Sequence, residues 1–166
     1  MVTDNFARLQ YDLLLKEWAL CDSNIGRLDT VVFVIRGWAI GLATAIVAYA
    51  YTKSDPVVCY LAVLPLVTLW IIDAVFKSFQ RIFILRNRTI ENYLSSQNLP
   101  LDLEADRLSI EVPATARAFG TGDDGEWLAR VLKAAFLRNV LVSYIPIILI
   151  VVATGFLVEY LTTATP

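Results

Sequence analysis

At 166 residues the chain has one domain's length, and its 57% apolar content and mean hydropathy of +0.60 exceed the globular share of about 45–50%. A net charge of −2 supplies no basic balance for neutralising phosphates, so nucleic acid is not expected as a partner. The absence of histidine removes the commonest general base, the serine and cysteine triads and most zinc sites, so neither an enzyme nor a cofactor is expected.

The apolar excess lies in three blocks, which predicts an all-α integral membrane protein: three transmembrane helices with a helical cytosolic module. Residues 1–30 are expected in the cytosol. The N-terminus is charged where a signal peptide would be apolar. Residues 4–28 read as an amphipathic helix, with Tyr11, Leu14, Trp18, Cys21, Ile25 and Leu28 at alternating spacings of 3 and 4. Val32 and Ile35 continue the rhythm into the first span, and Asp12, Lys16, Glu17 and Asp22 make the other face wet. The seam predicts a helix packed on its own chain, in preference to an intermolecular coiled coil.

Residues 31–76 predict a transmembrane hairpin. The first span, Val31 to Thr52, reaches spanning length when its first turns up to Arg36 are included. Lys53, Ser54 and Asp55 form a short polar turn, and the second span runs from Pro56 to Phe76, with Pro65 free to kink it. Counted from Ser54, Arg36 lies 18 residues back and Asp73 lies 19 forward, so both fall at nearly one depth. An intramembrane charge costs a few kcal/mol unless it pairs or snorkels. The first reading is an ion pair between Arg36 and Asp73. The other has Arg36 snorkelling to headgroups while Asp73 bonds Lys77 at i+4. Trp38 and Trp70 are each 16 residues from Ser54. Gly37, Gly41, Ala45 and Ala48 form a small-residue stripe that permits close helix approach, expected within the hairpin rather than between copies.

Residues 77–138 predict a cytosolic helical extension. The rhythm Ile72, Phe76, Phe79, Phe83, Ile90, Tyr93 carries the second helix onward, with Arg86 filling one seam position. Lys77, Arg81, Arg86 and Arg88 precede any acid and are candidates for lipid-headgroup or partner contact, although a simple positive-inside signal is a sufficient role for them and the preferred reading. Pro100 is expected to end this arm. Residues 98–123 read as an irregular insert, in which Leu108, Ile110 and Val112 alternate as a short strand or an extended segment over the helices. The run from Phe119 to Gly125 lacks the Lys-Ser/Thr of a phosphate loop and reads as a turn. Asp123 with Glu126 reads as a capping box for a helix at residues 124–138, its inner side Trp127, Leu128, Val131 and Ala135.

Residues 139–161 predict a third span, uncharged from Asn139 to Val158, with Pro146 inside. With the N-terminus inside, 13 of 14 basic residues fall on the cytosolic side or its border. The positive-inside rule therefore predicts a multi-pass protein with its N-terminus in the cytoplasm and its C-terminus outside. Cys21 and Cys59 are expected to remain unpaired. The acids Asp102, Glu104, Asp106 and Glu111 read as a solvated face.

The run Trp70, Asp73, Lys77, Gln80, Arg81, Arg88, Glu91, Leu94 resembles a set of small bacterial inner-membrane proteins. In these an amphipathic helix precedes a tight transmembrane hairpin whose second helix extends into the cytosol. Over roughly the first 95 residues the architecture is also similar to the SLATT group of two-span effectors in nucleotide-signalled antiphage systems; the third span departs from that plan. The resemblance implies a homo-oligomeric, pore-forming or membrane-disrupting effector that answers to a cytosolic sensor protein. The other reading is a structural or accessory subunit that scaffolds a larger membrane complex.

Overall fold

The computed structural model describes residues 6–115 and 124–164. They form six helices and, among the described residues, no strand: α1 (Phe6–Lys53), α2 (Val57–Leu61), α3 (Val63–Leu94), α4 (Asn98–Glu104), α5 (Asp124–Ala135) and α6 (Arg138–Ala164). Three stretches are long and apolar enough to cross a membrane: α1, Val57–Leu94 and α6.

α1 runs unbroken for 48 residues because no proline interrupts it. It ends where Ser54 takes a left-handed conformation, φ 52°, and the Asp55 amide closes back on the Ala50 carbonyl at 3.2 Å. Asp55 then turns its carboxylate onto the Val57 amide at 3.1 Å and starts the return helix. That return is broken at Ala62. Pro65, three residues on, has no N–H and its ring crowds the Leu61 carbonyl, so the ladder cannot close there. α6 continues through Pro146.

The chain divides into two compact units, one of Met1–Asp29 and Phe79–Trp127, the other of Thr30–Ser78 and Leu128–Pro166. In the first, Leu14, Ile90, Tyr93 and Leu108 are buried together, with Tyr11, Leu94, Ile110 and Val112 against them. Residues 108–112 are thus an extended segment laid on α1 and α3, without a strand partner. Residues 98–104, expected as irregular, are helical. Pro100 opens α4 instead of ending an arm, since it occupies the first turn, where its missing N–H would have had no partner. Asp106, at φ 53°, leaves that helix and accepts from the Ala7 amide at 3.1 Å, which caps the start of α1.

In the second unit the core is Ala39, Ala43, Ala50, Cys59, Ala62, Leu66, Val140, Tyr144 and Val151. Its small residues let the helices approach closely. The tightest contact is at Gly155 of α6, where an added Cβ would stand 3.1 Å from both Cys59 Cβ and Tyr60 Cε1. Tyr60 also stacks edge-on with Phe156, centroids 5.7 Å apart, and donates to Glu159 Oε2 at 2.9 Å. Gly155→Leu is expected to cost about 1–3 kcal/mol by overpacking, read as a lowered midpoint in thermal unfolding. An unchanged midpoint would mean α2 and α6 do not meet here.

The helix expected over residues 124–138 stops at Ala135 and restarts at Arg138. The Trp70 indole donates to the Ala135 carbonyl at 3.1 Å, taking the acceptor that Asn139 would use in a continuous helix. The inner side also differs from expectation. Val131 and Ala134 are buried against Ala74, whereas Trp127 and Leu128 are exposed. The turn expected from Phe119 falls mainly, and the capping residue Asp123 wholly, outside the described residues.

Candidate functional site

Each unit holds a buried ion pair among the described residues. In the first, Leu14, Glu17 and Cys21 share a face of α1 at spacings of 3 and 4, so Glu17 points inward and is only 5% exposed. This corrects its assignment to the wet face. Arg86 of α3 meets it with Nε at 3.1 Å from Oε1 and Nη2 at 2.8 Å from Oε2, a bidentate pair. The same Oε1 accepts from the Ala114 amide at 3.0 Å, the Thr115 amide at 2.7 Å and the Thr115 hydroxyl. Arg86 Nη2 also donates to the Glu111 carbonyl at 2.7 Å. One carboxylate thus joins α1, α3 and the segment 111–115.

Burial pushes the Glu17 carboxyl up, but hydrogen bonds from Arg86, Thr115 and Ala114 outweigh it and hold the pKa at about 2. Cys21, whose Sγ lies 3.8 Å from the Thr115 hydroxyl, has its thiol pushed up by burial. Such a thiol is a weak nucleophile. Nearby, Asp102 Oδ2 accepts from the Ser109 amide, the Ser109 hydroxyl and the Tyr93 hydroxyl. The Ser109 hydroxyl foremost keeps that carboxyl below its usual range.

The second centre lies in the other unit. Arg36 Nε donates to Asp73 Oδ2 at 2.7 Å, with Asp73 fully buried and Arg36 24% exposed. Asp73 Oδ1 and Arg36 Nη2 are buried without a hydrogen bond, so the pair is held by one bond where a guanidinium and a carboxylate can form two. The Tyr144 hydroxyl lies within electrostatic reach of both and donates to the Leu69 carbonyl at 3.2 Å.

The other expected contact residues scatter. Arg81 and Arg88 are exposed and Lys77 is half-buried with a partner of its own. Arg86, read as a headgroup or partner contact, is instead consumed by Glu17. A cation in a seam position needs a buried acid, and Glu17 at the spacing of Leu14 and Cys21 was the signal for it. The stripe Gly37, Gly41, Ala45 does not pack within the hairpin. All three are exposed, and a Cβ at Gly37 or Gly41 would meet nothing within 4 Å. The hairpin uses Ala39, Ala43 and Ala50, on the opposite side of α1.

A shallow cavity of about 850 Å³ opens in the first unit between Ala7, Arg8, Tyr11 and Asp12 of α1 and Leu103, Glu104 and Asp106. Among the described residues no group of three His, Cys, Asp or Glu side chains is placed to hold a metal. Both cysteines are free and buried, one in each unit. No protein-family model, curated protein or solved structure matches the chain.

Proposed function

We propose that this chain is an integral protein of the bacterial inner membrane that works by assembly. In this reading the three apolar stretches span the bilayer. The unit of Met1–Asp29 and Phe79–Trp127 faces the cytoplasm, and Ser54 and the C-terminus lie outside. Copies associate through α1, and a cytosolic sensor that engages the inner unit turns the assembly into an effector that breaches the membrane, as in antiphage defence. What supports the orientation is the distribution of basic residues.

The observation that carries the assembly is the unused small-residue face of α1. Gly37, Gly41 and Ala45 are spaced for close backbone approach, yet the chain's own helices pack elsewhere. Gly41→Leu has room in the single chain, so it is expected to leave thermal unfolding of the monomer unchanged while abolishing the oligomer. Native mass spectrometry from micelles reads the copy number. If the wild-type chain is monomeric, or Gly41→Leu keeps the same oligomer, assembly through this face is wrong.

A passive scaffolding subunit is the second reading, and a specific observation favours it. The hydroxyls of Thr44, Thr68, Ser143 and Thr154 all bond carbonyls four residues back in their own helices, which leaves little polar surface to line a water path. Dye release from liposomes separates the two: an effector releases dye once its partner is added, and a scaffold does not.

A further inference from the structure

Helix α5 takes part in neither polar centre, yet its three sides are sharply different. On one side Val131 and Ala134 are buried against Ala74 of α3. Trp70 secures the end of α5 through the Ala135 carbonyl, and its ring meets Phe136 edge-on, centroids 6.1 Å apart. On the second side, at a spacing of four, Leu128, Leu132 and Phe136 form a ridge that is 52%, 52% and 65% exposed. The third side carries Arg130 and Lys133, with Arg138 following at the start of α6. None of the three pairs with an acid among the described residues.

An apolar ridge flanked by cations describes a helix lying in a membrane surface. The position agrees with it. After the turn at Leu137 the chain enters α6, 27 residues long and apolar enough to span. The packing partner of α5 is the Trp70–Ala74 turn of α3, and tryptophan favours the boundary between acyl chains and water.

We propose that α5 is an interfacial anchor in the cytoplasmic leaflet, with Leu128, Leu132 and Phe136 among the acyl chains and Arg130, Lys133 and Arg138 on anionic headgroups. The proposal rests on the reading of α6 as a membrane span, and adds to it a contact surface and a lipid class.

The test uses the full chain in nanodiscs of phosphatidylcholine and phosphatidylglycerol. A nitroxide is placed at Leu132→Cys and, as a reference, at Leu149→Cys on the exposed middle of α6; Cys21 and Cys59 are buried away from label. Collision with oxygen is expected to exceed collision with a soluble nickel chelate at both positions. If position 149 favours oxygen and position 132 favours nickel, the anchor is wrong while the span stands. Nickel at both overturns the span and the anchor with it. The second readout is the retained lipid shell in native mass spectrometry. Arg130→Gln with Lys133→Gln should lower its phosphatidylglycerol enrichment, about fivefold for each cation removed at low salt. An unchanged shell would overturn the headgroup assignment.

Discussion

Glu17→Ala is expected to destabilise the protein by about 3–5 kcal/mol, because it leaves the Arg86 guanidinium and the Ala114 and Thr115 amides facing a buried gap. Urea denaturation in micelles reads the loss. Glu17→Met combined with Arg86→Met should cost less than Glu17→Ala alone, since the double change removes both charges at once. A single-variant loss below about 1 kcal/mol would mean the pair is solvated.

The same carboxyl predicts a pH dependence. Its pKa falls from 4.5 in the unfolded chain to about 2 in the fold, so the unfolded state binds the proton more tightly. The stabilisation is complete above about pH 4.5 and disappears as pH falls towards 2, a change on the order of 3 kcal/mol. In Glu17→Gln this part of the acid response should be missing.

The second large effect lies at Arg36 and Asp73. Arg36→Leu strands a fully buried carboxylate, with an expected cost of about 3–5 kcal/mol and a melting midpoint lowered by roughly 10 °C. Asp73→Leu leaves a cation that is partly exposed and able to reach outward, so its cost should be smaller. The exchange Arg36→Asp with Asp73→Arg should recover at least half of the larger loss. If each single change destabilises and the exchange restores nothing, the two side chains are not a pair.

That pair was readable from the chain because a three-residue turn sets the register of two antiparallel rods. Counts of 18 and 19 from Ser54 then mean nearly the same depth. The continuity of α1 was readable too, because the spacing of 3 and 4 runs on through Val32 and Ile35 into the first span. Glu17 was missed: its spacing from Leu14 and Cys21 was the one local signal, and the partner that stabilises it in the interior is 69 residues away. Two small-residue faces stood on α1, and only packing with α2, α3 and α6 decides that Ala39, Ala43 and Ala50 are used. The break before Arg138 is also non-local, imposed by the Trp70 indole. At Pro100 the local rule was read the wrong way round, for a proline that stops one helix fits equally well in the first turn of the next.

The most direct test is the accessibility of Ser54→Cys to a membrane-impermeant maleimide in intact cells, with Arg88→Cys as the partner position. A hairpin that crosses the bilayer and turns outside predicts labelling at 54 before lysis and at 88 only after it. Labelling at 54 only after lysis, or at neither position even in detergent, would contradict it.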